Sequence, residues 1–317
     1  MTDGSARSMP RWGIMLPSFD PYRRGSFPLV QAARRAEALG FDSGWVGDHL
    51  SYYPPTLEPA CALAACAAVT DRILLGTGVM LLALRNPAWA AKQIASLDAL
   101  APGRIVLGVG AGGEGEAEFQ AAGVPLVARG RRLNEAIEVV TRLLAGEEVD
   151  YEGPIGPIRI PRLEPVPRRL PPVVVGGRSD AALDRAGRVG DGWMGVWMSP
   201  ERLASTRDQL QRRADAYGRP LPHVLLLCFV HVTDDRENGW AEAAELVMGQ
   251  YGLPIERLAR WLHVGPIDDV ARELARYRDA GADGLVVLPM ARDPLAQMEA
   301  IAPLGPALGL SDVEQAQ

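Results

Sequence analysis

Short apolar runs alternate along this chain with alanine-rich stretches of helical period. Trp12–Pro17 (WGIMLP) is compact and apolar throughout, the pattern of a strand buried on both faces. From Pro28 to Leu39 the apolar positions Leu29, Ala32, Ala33, Ala36 and Leu39 form one helical stripe, which Gly40 stops. Ser43–Gly47 reads as a second strand and Leu57–Val69 as a helix of small residues. Ile73–Leu82 reads as a third strand, and Pro87 and Gly103 bracket a helix. Ile105–Val109 is a fourth strand, and Leu133, Ile137, Val140 and Leu144 share one face of the next helix. Val173–Val175, Trp193–Val196, Val224–Val232 and Gly284–Leu288 supply four more strands. Helices over Ala181–Arg188, Pro200–Tyr217, Asn238–Met248 and Val270–Tyr277 follow or separate them. Eight strands in βα alternation predict an α/β fold with a parallel sheet, closed as one (β/α)8 TIM barrel spanning residues 1–317. Residues 147–172 break the rhythm with seven prolines. They read as an insertion between strands four and five carrying a short hairpin, the kind of long loop that covers an active site.

Composition narrows the function without naming it. Of 317 residues, 48% are hydrophobic and 23% charged, which excludes a disordered or collagen-like chain. The net charge of −6 offers nothing to nucleic acid or an anionic membrane, and points to a small-molecule partner. The longest apolar runs, Val79–Leu84 and Val224–Val230, are far below the roughly 18 residues of a membrane span. The first twelve residues lack the apolar core of a signal peptide, and the three cysteines have no metal or redox spacing. A reducing cytoplasm is therefore expected, with no metal site. Lys92 is the only lysine; the other basic residues are arginine.

In a barrel, chemistry gathers where strands end. Asp48 and His49 directly follow the second strand, where an imidazole can exchange protons near neutrality and a carboxylate can hold a heterocycle. A capping aspartate beside a structural histidine is the plainer alternative. Gly76-Thr77-Gly78-Val79 puts glycines in a strand, marking either barrel curvature or close approach of a ligand. Gly108-Val109-Gly110-Ala111-Gly112-Gly113 satisfies GxGxxG, but no second strand and acidic residue follow promptly, as a dinucleotide fold would require. Val175-Gly176-Gly177-Arg178-Ser179 joins strand five to a helix start, and reads as a phosphate cradle or as a tight turn with Ser179 or Asp180 as cap.

In order and spacing, several segments together resemble the luciferase-like monooxygenase superfamily, particularly its deazaflavin-using oxidoreductases. They are Gly40 to His49, Leu107 to Gly112, Gly123-Val124-Pro125, Arg129 to Leu133, Val175-Gly176-Gly177 and Gly187 to Trp193, and the likeness runs from Trp12 to Leu304. The resemblance implies a (β/α)8 barrel, usually a homodimer, binding coenzyme F-420 or, as the alternative, FMN. It places Asp48 and His49 beside the ring, with His49 as proton-transfer partner, and a non-prolyl cis peptide at Gly78–Val79 behind it. It brings Gly110, Ala111 and Gly112 to the ring or its ribityl side, and Val175, Gly176, Gly177, Arg178 and Ser179 to the phosphate. Two departures matter. Ser199 stands where the sugar-phosphate dehydrogenases of this group carry a lysine, which argues against a sugar phosphate as substrate. Gly113 stands where they carry an acid, with Glu114 one position later. The activity so implied is hydride transfer between coenzyme F-420 and a small organic substrate. An FMN-dependent two-component monooxygenase and a non-catalytic flavin-binding barrel are the alternatives.

Overall fold

The computed structural model describes residues 9–113, 115–153 and 155–311. Within them the strands are β1 (Trp12–Met15), β2 (Ser43–Val46), β3 (Leu74–Thr77), β4 (Ile105–Val109), β5 (Val149–Tyr151), β6 (Ile158–Ile160), β7 (Val173–Gly176), β8 (Gly192–Val196), β9 (His223–Val232), β10 (Leu262–Gly265) and β11 (Gly284–Pro289). Eight of these, β1-β2-β3-β4-β7-β8-β9-β11, are parallel and close back on β1. Gly13 faces Val286 across one seam, and Trp193 faces Val224 across another. All eight predicted strands are present, and the helices between them begin and end close to the predicted bounds. The (β/α)8 barrel is thus the fold.

Two layers of apolar contact hold it. Alternate strand residues such as Trp12, Ile14, Leu75 and Val175 meet the helices, while Met15, Trp45, Val106, Val174 and Met194 fill the interior. Trp45 is fully buried, and a Cβ on Gly76 would lie 2.5 Å from its ring. That glycine makes room for the indole, a use distinct from both the curvature and the ligand approach that the sequence suggests for it. Burying one such side chain contributes roughly 1.5–3 kcal/mol. Helix starts are capped as their sequence suggests. Asn86 accepts from the N–H groups of Ala88 and Trp89, and Ser179 accepts from Ala182.

Three features depart from the sequence reading. The third strand ends at Thr77, five residues short of Leu82, because the chain bends at a cis peptide between Gly78 and Val79 and a 3-10 turn follows over Leu82–Leu84. Leu81 N–H then donates to the Asp48 carboxylate instead of a ladder. The insertion does carry an antiparallel hairpin, β5–β6, with Val149 opposite Ile160. It joins the helix Arg129–Leu144 to β7, so it is a helix-to-strand connection, and no described residue of 147–172 lines the cavity described below. Such connections lie at the N-terminal end of a barrel, away from the catalytic face. Finally, β10 is a strand that the apolar pattern does not predict; it pairs with the far half of β9, Leu262 opposite Phe229.

His263 on β10 is buried against the edge of the Tyr277 ring, and burial lowers its pKa to about 4. The unfolded chain then binds the extra proton between about pH 6.5 and 4. This residue's contribution is complete above pH 6.5 and is lost as pH falls through that window, by up to ~3 kcal/mol. Urea unfolding of wild type and His263→Phe at pH 7.5 and 5 is expected to show the smaller pH loss in the variant.

Candidate active site

The strand ends and βα loops at the C-terminal face of the barrel surround a cavity of about 360 Å³. Its wall includes Asp48 and His49 from the end of β2, Gly78 and Val79 from the bend, and Gly110, Ala111 and Gly112 after β4. Gly176, Gly177 and Ser179 join them after β7. Ten of the twelve residues expected at the site therefore share one space. The other two sit elsewhere. Val175 is fully buried in the barrel wall among the helices. Arg178 turns out of the cavity, donating to the Trp197 carbonyl at 3.1 Å and lying over that indole. Glu114 lies outside the described residues.

Asp48 is 4% exposed and its carboxylate is heavily engaged. Arg85 grips it with both terminal nitrogens, at 2.7 and 3.1 Å, and Leu81 N–H donates at 2.7 Å. Burial pushes the Asp48 carboxyl above the ordinary carboxylate range, while Arg85 and the Leu81 N–H pull it back. Arg85 also reaches Glu58 at 3.1 Å. One carboxylate thus fixes the chain just after the bend and neutralises a guanidinium beside it. Removing Arg85 would leave the buried Asp48 carboxylate without its guanidinium, whereas Arg85 would keep Glu58 if Asp48 were lost.

His49 faces a partner that the sequence reading did not name. Its Nδ1 lies 3.2 Å from both carboxylate oxygens of Glu118, whose side chain is wholly buried. Glu118 also accepts from Leu50 N–H at 3.1 Å. The Tyr52 ring stacks on the imidazole, with centroids 3.7 Å apart and planes within 4°. A carboxylate accepts, so the hydrogen of the neutral imidazole sits on Nδ1 and the lone pair on Nε2. The Glu118 carboxylate at Nδ1 and the Tyr52 ring on its face hold the imidazole in one orientation, an arrangement in which Nε2 can exchange a proton.

The glycines around the bend serve the protein as much as any ligand. A Cβ on Gly110 would lie 2.4 Å from Val79 Cγ2, and one on Gly176 would lie 2.8 Å from Val79 Cγ1. Their missing side chains leave the space that Val79 fills. Gly177 differs: its φ of +123° is a conformation that side chains avoid, and its carbonyl accepts the Trp193 indole N–H at 2.8 Å. Beside it, Ser179 caps the helix Asp180–Val189, leaving the first N–H groups of that helix near the cavity.

Positive charge at this end comes from Arg129 and Arg185, both on the cavity wall. Arg185 is 4% exposed, and its donors go to the Asn134 amide oxygen at 2.6 Å and the Gly130 carbonyl at 3.1 Å. Arg129 donates to the Leu126 carbonyl at 3.0 Å. Among the described residues neither is hydrogen-bonded to a carboxylate, so two guanidiniums bring positive charge to the wall that also holds the Gly177–Ser179 turn. With a helix start, they form a cradle suited to a phosphate. Among the described residues no cluster of side chains could hold a metal ion, and no helix is long and apolar enough to cross a membrane.

Comparison with known proteins agrees with this architecture. Residues 25–257 match the family of luciferase-like monooxygenases. An uncharacterized protein of Mycobacterium tuberculosis is 34% identical over 62% of this chain and 76% of its own. The F420-dependent glucose-6-phosphate dehydrogenase of Gordonia bronchialis is 31% identical over 84% of this chain and 87% of its own. Among solved structures, an F420-dependent secondary alcohol dehydrogenase superposes with a TM-score of 0.82 at 20% identity, covering 94% of this chain and 99% of that one. Monooxygenase RslO1 from Streptomyces bottropensis reaches the same score at 24% identity, with coverages of 94% and 98%. The closed barrel, its bend at Gly78–Val79 and the match over most of its length lead to one assignment: this chain belongs to the luciferase-like monooxygenase family.

Proposed function

We propose that the protein is an oxidoreductase that transfers a hydride between coenzyme F-420 and a small organic substrate. The observation that carries this reading is the pairing of two unlike halves in one cavity: the Glu118–His49 dyad and the arginine-lined turn at Gly177–Ser179. Relatives named as F420-dependent dehydrogenases, about 30% identical over more than four-fifths of this chain, favour the deazaflavin over FMN.

The donor set fits such a cofactor. Arg129, Arg185, the Ser179 hydroxyl and the Gly177 backbone would hold its phosphate, and Asp48, Gly78, Val79 and Gly110 to Gly112 would border its ring. When bound, coenzyme F-420 supplies a two-electron centre that takes or gives hydride without needing oxygen. His49 Nε2 takes the hydroxyl proton of an alcohol as its C–H hydrogen leaves with the bonding pair, and returns the proton when a carbonyl is reduced. Glu118 steadies the imidazolium so formed. Tyr52 stacks on the imidazole and Phe19 meets it edge-on, which shields its flanks from solvent. The apoprotein, titrated separately with F-420 and FMN while cofactor fluorescence is followed, is expected to bind F-420 the more tightly. Tighter binding of FMN would instead support the monooxygenase reading.

A homodimer belongs to the same proposal. Trp89 and Leu100 lie eleven residues apart on the helix Pro87–Leu100, close to three full turns, and are 72% and 65% exposed. A large apolar pair on one helical face suits a partner surface. Wild type is expected to sediment as a dimer and Trp89→Asp as a monomer; unchanged sedimentation would remove this face from the interface.

A further inference from the structure

A second chamber of about 130 Å³ opens beside the cavity, between the loop after β1, the end of β11 and the helix Arg236–Tyr251. The two spaces share Met15, Phe19, Gln250 and Leu288 in their walls. The helix closes in tightly, since a Cβ on Gly249 would lie 2.2 Å from the Pro21 carbonyl oxygen. The chamber wall is largely leucine, proline and alanine, including buried Leu246, Leu288 and Ala291.

Its charged groups are each engaged, though only Arg292 meets carboxylates. Arg292 donates to Glu245 at 2.6 Å and lies 3.7 Å from Glu242, while Arg24 donates to the Arg292 carbonyl at 2.9 Å. Asp20 accepts from Gly25 N–H at 2.7 Å. Arg24, which lies over the Tyr22 ring at 4.7 Å, is thus the one lining cation without a carboxylate partner among the described residues, and the wall offers a phosphate no second one. Tyr22 provides the contrast: its hydroxyl is buried and has no hydrogen-bond partner among the described residues. Burial raises its pKa, so it keeps its proton and can donate.

We infer that this chamber is the substrate pocket, and that it selects a compact, uncharged, largely hydrocarbon molecule with one oxygen acceptor over a sugar phosphate. The inference deepens the functional reading above and rests on it for the identity of the neighbouring cofactor. An apolar cavity of about 150 Å³ admits benzene, so a single six-membered ring is the size that fits. The named dehydrogenase relatives act on glucose 6-phosphate, which makes that compound the natural competitor.

Cyclohexanone serves as the probe, followed by ligand-observed NMR titration of the F-420-loaded protein. It is expected to bind while glucose 6-phosphate does not. Ala291→Phe should weaken it by about tenfold or more by filling the chamber, and leave F-420 affinity as in wild type. Leu246→Phe narrows the same space from the helix side and replaces Ala291→Phe should that variant fail to fold. Tyr22→Phe is expected to weaken cyclohexanone but not cyclohexane. Preferred binding of glucose 6-phosphate, no binding of cyclohexanone, or full affinity in a folded filled variant would each overturn the inference. Should F-420 itself fail to bind, the functional reading falls instead, and cyclohexanone titrated into the cofactor-free chain still decides the chamber's role.

Discussion

Replacing His49 by alanine is expected to lower turnover by roughly 10²- to 10⁴-fold, the range lost when a positioned acid–base group is removed. The affinity for F-420 should change little, because the phosphate cradle at Gly177–Ser179 is built from other residues. Glu118→Gln keeps an acceptor for Leu50 N–H and for His49 Nδ1 but removes the charge. Its loss should therefore fall between wild type and His49→Ala. Combining the two substitutions should add little to His49→Ala alone, since Glu118 acts through the imidazole. Steady-state rates with matched cofactor titrations separate the outcomes. Wild-type turnover in folded His49→Ala removes the imidazole from the chemistry.

Gly110→Ala is expected to destabilise the fold by about 2–3 kcal/mol, because the new methyl overlaps Val79 Cγ2 in a packed site. The remedy is specific. Val79→Ala takes away the overlapping group, so the double variant should recover much of the loss, and a double-mutant cycle in urea should give a coupling above 0.5 kcal/mol. Additive losses would mean that the glycine is required by something other than Val79. The same pair separates two uses of a small residue that a sequence alone presents alike, namely room for a ligand and room for a neighbouring side chain.

All eight barrel strands were legible because each is a bounded apolar run, buried on both faces, with a helical stripe after it. The overlooked β10 has only four residues, Leu-His-Val-Gly, and follows two 3-10 turns over Ile255–Arg257 and Ala259–Trp261. A histidine within so short a segment leaves no periodicity to read. The insertion was found, but a run of prolines says nothing about which end of the barrel it occupies; its place between a helix and the next strand does. Asp48 and His49 were legible from their position after β2. Glu118 was not, since it sits beside Glu114 and Glu116, on a helix of six residues too short to show a face. Only the tertiary fold picks one carboxylate from that group and buries it against the imidazole. Arg178 was the obvious cation by adjacency to Gly177, yet the helix that begins at Asp180 turns Arg185 inward from further along. Adjacency along the chain is a poor guide to charge where a helix intervenes.

The length of β9 has a consequence for how the barrel meets solvent. Ten residues long, it holds β8 as neighbour as far as Leu227 and then takes β10 from Phe229 onward. Toward the mouth of the barrel β9 therefore keeps β11 on one side and exchanges β8 for β10, so its outer half stays hydrogen-bonded past the point where β8 ends. At the split, Trp197 leaves β8 with a φ of +53° and stands near Phe229 and Tyr251, their centroids 6.2 and 5.4 Å from its own. Those three aromatic rings pack on one another where β9 exchanges one neighbour for the next, so the handover is filled by side chains instead of backbone pairing.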